Sequence, residues 1–205
     1  MANFSLLCIC GIPITLNYKP MAKTFLQRKG NYRGLIVFRK AECIYDITYY
    51  FAHKYLMAND RTVDQMIQAA RSGRQNIAEG CEDGTASVES EIKLLSVAKG
   101  SLQELLLDYE DYLRVRNLTL WDINSEKALQ TRRVCARNND SAFYRKAIVE
   151  RSDETICNIA ITLIHQTDML LWKYIERLQA DFIQNGGIKE KMYKARTNYR
   201  GNHEA

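Results

Sequence analysis

The sequence predicts an all-α protein: an antiparallel up-down four-helix bundle with an irregular helical connection before the fourth helix. Three observations lead there. Two prolines and ten glycines in 205 residues leave room for long unbroken helices. Apolar residues recur at steps of three and four over four long stretches, and no alternating strand pattern competes. A hydrophobic content of 46% in a chain of this length supports one domain with a real core.

The first helix is expected over residues 35–57. Val37, Ala41, Ile44, Thr48, Phe51 and Tyr55 draw one face, widened by Phe38, Tyr45, Ala52 and Leu56. Asn59-Asp60 breaks it, and Asp60 can cap the second helix, expected over 62–79. The second stripe is Val63, Met66, Ile67, Ala70, Gly73 and Ile77. It narrows at Ala69, Ala70, Ser72 and Gly73, where a neighbouring helix can come close. Gly80 reads as the C-terminal stop, followed by a polar loop over 81–87.

Ser87 reads as the N-cap of the third helix, with Glu89 and Glu91 in the first turn favoured by the helix dipole. Its stripe runs from Val88 through Ile92, Leu95, Ala98, Leu102, Leu105 and Tyr109 to Tyr112. Gly100 sits mid-helix at a cost of about 1 kcal/mol relative to alanine. A packing gain would offset it, so the Gly100 turn is expected against the Ala70 and Gly73 turn. Residues 118–149 read as a connection with short helices near 125–137 and 142–149. The fourth long helix is expected over 152–184, marked by Ile156, Ala160, Leu163, Thr167, Leu170, Tyr174, Leu178 and Phe182. Asn185-Gly186-Gly187 ends it.

The chain therefore divides into a flexible N-terminal extension (1–30), the bundle (31–187) and a basic C-terminal suffix (188–205). Phe4 to Leu16 is apolar without a preceding Lys or Arg, and is too short to span a bilayer. Met21 is the expected native start, and no membrane partner is expected. The six cysteines form no C-x-x-C pair, which fits reduced thiols in the cytoplasm. Charge is uneven: residues 1–41 carry seven Lys/Arg and no acid, residues 42–188 carry 17 basic and 22 acidic residues, and residues 189–205 carry five and two.

Catalytic signatures are sparse, and the expectation is no enzyme, no cofactor and no metal. A di-iron bundle needs Glu-x-x-His pairs, but Tyr50 precedes His53 and Thr162 precedes His165 at that spacing. No phosphate-binding glycine loop or Gly-x-Ser-x-Gly occurs. Arg196 and His203 have the loose spacing of helical ribonucleases, which leaves a ribonuclease as the minor alternative. Phosphate contacts are assigned to Arg71, Arg74, Lys189, Lys191, Lys194, Arg196 and Arg200, with Tyr193 and Tyr199 interleaved. Arg71, Arg74, Lys93 and Lys99 would form one patch if the second and third helices face the same side. Glu79, in the expected last turn, needs a cationic partner such as Arg71, Arg74 or Lys99. Asn76 would help it brace the corner. Tyr49, Tyr50 and Phe51 are candidate exposed aromatics at a subunit contact.

Gln65, Ala69, Ala70, Ser72 and Asn76-Ile-Ala-Glu-Gly80, with Leu95-Ser-Val-Ala-Lys-Gly-Ser-Leu102 and Glu104-Leu105, carry a family resemblance. The chain resembles the bacterial four-helix bundle family first recognised in intervening sequences of large ribosomal RNA genes. Ser141-Ala-Phe, Glu154-Thr-Ile-Cys-Asn-Ile-Ala and Gly186-Gly-Ile-Lys-Glu-Lys-Met extend the likeness to its branch with a four-helix bundle suffix domain. The family's paired arginines fall at Ile67 and Gln68 here, and its usual proline at Arg74. The resemblance implies a homo-oligomer, often a pentamer. A related accessory protein of diversity-generating retroelements implies a reverse transcriptase and RNA or DNA as partners. The leading expectation is thus a nucleic-acid-associated scaffold; the alternative is a protein–protein adaptor without nucleic acid.

Overall fold

The computed structural model describes residues 31–84 and 87–201; the expected start at Met21, Cys8, Cys10 and His203 lie outside that range. Seven α-helices and no strand occur among the described residues. They are α1 (Ile36–Tyr55), α2 (Arg61–Asp83), α3 (Val88–Val115), α4 (Glu126–Arg137), α5 (Ser141–Ala147), α6 (Asp153–Asn185) and α7 (Ile188–Gly201). None of these is long and apolar enough to cross a membrane.

Local chemistry sets most of the helix starts. The Asp60 side chain accepts from the Thr62 N–H, Ser87 from Ser90, Ser125 from Ala128, Asp140 from Ala142 and Ser152 from Thr155. Each satisfies one of the orphan donors of a first turn, worth about 1 kcal/mol. A single 3-10 turn at Tyr32–Gly34 leads into α1. Gly186 adopts φ +69° and closes α6, a left-handed position that glycine takes without steric cost.

The four long helices α1, α2, α3 and α6 share one core. α2 packs between α1 and α3, and α6 packs against both α1 and α3. The α2–α3 and α3–α6 contacts run in opposite senses. Gly73 faces Leu102 while Gly80 faces Leu94. Tyr112 reaches Asp153, Lys99 reaches Asp168 and Tyr174 reaches Glu91. Ile44, Phe51, Met66, Ile77, Leu95, Leu102, Tyr109, Ile156 and Leu163 are fully buried between them. The Tyr109 hydroxyl donates to Thr48 Oγ1 at 3.0 Å, so the polar end of the central tyrosine is satisfied across α1 and α3. α4 lies on α6 and α5 on α1. The loop before α4 is held by Asn158, which accepts from the Trp121 N–H and donates to the Thr119 carbonyl, both at 2.9 Å. α7 contributes no buried residue.

Four sequence expectations need correction. Gly80 does not stop the second helix: α2 continues to Asp83, and Gly80 lies buried in its interior. An added Cβ there would meet the Glu91 carbonyl and Leu94 at 3.4 Å, so this glycine serves interhelix approach. Glu79 is consequently an exposed residue within the helix, away from the electrostatically unfavourable last turn, and it makes no ion pair among the described residues. Gly100 is exposed and an added Cβ would meet nothing within 4 Å. The α2–α3 approach is made instead by Gly73, whose added Cβ would lie 2.9 Å from Leu102 and 3.7 Å from the Ala98 carbonyl. Ser72 and Ser101 hydrogen-bond at 2.9 Å beside it, and Asn76 donates to both the Ser72 carbonyl and hydroxyl. Asn76 thus braces the middle of the α2–α3 contact, not the corner.

The two glycines should respond oppositely to substitution. Gly73→Leu forces bulk against a fully buried Leu102 and should lower stability by about 1–3 kcal/mol. Gly100→Ala should raise it by about 0.5–1 kcal/mol through helix propensity alone. Urea unfolding of both variants followed by circular dichroism checks the contrast; a loss of stability in Gly100→Ala would refute it.

Candidate nucleic-acid interface

The outward face of α1 carries aromatics at helical spacing. Tyr45, Tyr49 and His53 stand four residues apart and so rise on one side of the helix. Their rings form a ladder, with centroids 6.3 Å apart for Tyr45 and Tyr49 and 4.3 Å apart for Tyr49 and His53. The Arg74 guanidinium of α2 sits 4.3 Å above the Tyr45 ring centroid, a cation–π contact that extends the ladder. Arg71 is exposed one turn earlier on α2. The His53 Nδ1 lies 2.8 Å from the Tyr49 carbonyl; since a carbonyl only accepts, Nδ1 carries the hydrogen.

α5 and the turn after it close the other side. A groove of about 680 Å³ runs along Tyr45, Tyr49, Tyr50, His53, Lys54 and Arg145. Lys54 donates to the Tyr50 hydroxyl at 2.7 Å and to the Val149 carbonyl at 3.0 Å, and lies over the Tyr50 and Tyr55 rings. Hydrogen bonds to Tyr50 and Tyr55 hold its pKa above the usual lysine range, so it stays charged. Arg145 pairs with Asp46 at 2.8 Å, and Asp46 also accepts from Ser141; this carboxylate offsets part of the positive field. Tyr49 is half exposed and offers its ring to solvent. Aromatic faces beside clustered cations are what single-stranded nucleic acid needs: stacking for bases and charge for phosphates.

The predicted basic residues separate into three places. Arg74 joins the aromatic ladder, and Arg71 stands exposed one turn earlier on α2. Lys99 lies with neither: its ammonium turns to α6 and pairs with Asp168 at 2.5 Å, so the expected patch with Arg71 and Arg74 does not form and Lys99 is no partner for Glu79. Lys189, Lys191, Lys194, Arg196 and Arg200 lie on α7. Helical spacing puts Lys189, Arg196 and Arg200 with Tyr193 along one side, and Lys191 and Lys194 on another. Phe51 is corrected from exposed to core: it is fully buried, with ring centroids 5.1 Å from Tyr109 and 4.8 Å from Tyr112. Sequence reading missed Tyr45, His53, Lys54 and Arg145 as parts of one surface. The four-residue spacing of Tyr45, Tyr49 and His53 was the available signal.

Metal-ligating side chains do not gather among the described residues: no three His, Cys, Asp or Glu side chains there stand close enough to hold a metal. Cys43, Cys81, Cys135 and Cys157 are buried, and none forms a disulfide among the described residues. Burial pushes the Cys43 thiol up to about 12, against a smaller opposing pull from Lys40, and burial raises Cys135 and Cys157 as well. These three are therefore protonated at neutral pH and are poor nucleophiles. No protein-family model, curated protein or solved structure matches the chain.

The raised thiols make stability depend on alkaline pH. A folded-state pKa above the unfolded one contributes stability that is complete below the unfolded value and is lost on approach to the folded value. For Cys43 that window runs from 9.0 to about 12. Tyr109, Tyr144 and Tyr174, also raised by burial, add to the loss above 10.0. Lys40, lowered by burial, acts oppositely just below 10.5. Stability measured by urea unfolding should stay level to about pH 9 and then fall, with a shallower fall in Cys43→Ala. An unchanged slope in that variant would contradict the assignment.

Proposed function

We propose that the chain is an antiparallel up-down four-helix bundle that acts as a non-enzymatic, nucleic-acid-associated scaffold. The opposed contacts between neighbouring long helices support the architecture. The observation that carries the function is the Arg74–Tyr45–Tyr49–His53 ladder with Lys54 beside it and Arg71 exposed one turn along α2. Bases of single-stranded RNA or DNA stack on Tyr49, and Arg71, Arg74 and Lys54 meet the phosphates. Lys189, Arg196 and Arg200 on α7 add a second, sequence-independent run of cations. The resemblance to the ribosomal intervening-sequence family points the same way.

Fluorescence anisotropy with mixed-sequence single-stranded RNA and DNA tests this reading. Tyr49→Ala should weaken binding by about 5- to 150-fold, the equivalent of roughly 1–3 kcal/mol for one stacked base. Replacing Arg71 and Arg74 by Gln together should flatten the slope of log affinity against log salt by about 1.4. Absence of binding to either nucleic acid at low salt would end the proposal.

Self-association is the second part of the reading. Val97 and Leu107 on α3 and Met169 and Trp172 on α6 each leave about half their surface in solvent and are the apolar side chains assigned to the subunit contact. Sedimentation at micromolar concentration should give a species heavier than the 23.7 kDa chain, and Trp172→Lys should shift it toward that mass. A strict monomer would remove this part and leave the nucleic-acid reading intact.

A further inference from the structure

A second groove lies on the other side of the molecule, between the start of α1, α4, α6 and the loop that carries Trp121. It encloses about 980 Å³, and its wall is mainly apolar, with Ile36, Trp121, Ile123, Ile161, Met169 and Leu170. Among its polar wall residues, Lys40 stands apart. Lys40 is only 3% exposed, yet among the described residues no carboxylate pairs with its ammonium. Its Nζ donates to the Cys135 carbonyl at 2.7 Å and to Gln166 Oε1 at 2.8 Å, both neutral acceptors. An ammonium has three N–H groups, so one is left without a partner among the described residues. Gln166 is itself fixed by donating to the Arg132 carbonyl at 3.0 Å, which orients its oxygen toward the lysine. Arg132, in the same wall, donates to the Ile123 carbonyl and keeps a second positive charge beside the groove. Asn139, also in this wall, has a buried Oδ1 that accepts no hydrogen bond.

A buried cation without a counter-charge is costly, and burial lowers the pKa of Lys40 accordingly. The cost is offset when an anion arrives. The negative groups of the groove do not meet that need. Glu110 lines it together with Asn158, eight residues and about 12 Å along α6 from Gln166, and Asp122 accepts from its own loop at Asn124. We propose that this groove binds an amphipathic monocarboxylate: an apolar chain lies along Ile161, Met169 and Leu170, and its carboxylate takes the remaining N–H of Lys40. An apolar cleft with a few fixed polar groups at one end is the usual form of a small-molecule site. The site is separate from the aromatic ladder and does not rest on the nucleic-acid reading.

Trp121 reports on occupancy. In a Trp172→Phe background it is the only tryptophan, and dodecanoate and dodecanol, both kept below aggregation, serve as probes. Dodecanoate should change its emission saturably and bind about 10-fold or more tighter than dodecanol, the effect of one charge-assisted hydrogen bond. Lys40→Met, checked for helicity, should bring the two probes within about 2-fold of each other. No saturable response to dodecanoate, equal affinity for the two probes in the Trp172→Phe protein, or a preference that survives Lys40→Met would each overturn the proposal. If Lys40→Met does not fold, the carboxylate-against-alcohol comparison in the Trp172→Phe protein decides it alone.

Discussion

The absence of one side chain governs the arrangement of the helices. Leu102 of α3 occupies the space where a Cβ on Gly73 would lie, so α2 and α3 approach more closely there than two ordinary residues allow. Ser72, Ser101 and Asn76 use that closeness to satisfy their polar groups beside the contact. The consequence reaches the surface. Residues adjacent in a helix point about 100° apart, so the contact that turns Gly73 toward α3 turns Arg74 toward α1. Arg74 then lands on Tyr45, and the aromatic ladder acquires its cation. A scaffold crossing and a candidate binding surface are thus set by neighbouring positions of one helix.

Polar groups in the core pin the register of the remaining contacts. Tyr109 meets Thr48, Tyr112 meets Asp153 at 3.0 Å and Tyr174 meets Glu91 at 2.6 Å. Each tyrosine hydroxyl is satisfied only when its helix sits at one height along the partner. Sliding a helix by one turn would leave a buried polar group without a bond, at about 1–3 kcal/mol each. Apolar stripes alone tolerate such slips far better, because one leucine layer resembles the next. The tyrosines therefore select among packings that hydrophobic burial leaves close in energy.

Local signals in the chain were legible, and long-range ones were not. Asp60, Ser87 and Ser152 announce helix starts because a cap acts within three residues. Gly80 misled because a glycine near a helix end has two uses, as a stop or as room for a neighbour. Only the position of Glu91 and Leu94 distinguishes them. Tyr45 and Phe51 show the same limit. Both lie on aromatic-rich turns of α1, and which of them turns inward depends on Tyr109 and Tyr112, some sixty residues away. Lys40 is the sharpest case. Its partners, Cys135 and Gln166, come from the connection and from α6, so nothing near it in sequence marks it as buried.

The segregation of charge reconciles an acidic body with a cationic face. Residues 42–188 hold more acids than bases, yet a ligand within the groove on α1 senses only charges within about one Debye length, roughly 8–10 Å at physiological salt. Glu104, Asp108 and Asp111 gather on α3, where burial and the neighbouring Asp111 and Glu104 raise the pKa of Asp108. Asp111 is in turn paired with Arg114. Arg71, Arg74, Lys54 and Arg145 gather on α1, α2 and α5, with Asp46 as the carboxylate tied to Arg145. Since α1 and α3 contact α2 from its two sides, the two charge sets face different directions. Net charge then argues little about phosphate binding at the ladder, while it does bear on orientation: under the proposed function, the acidic side would repel the polyanion that the aromatic side would attract.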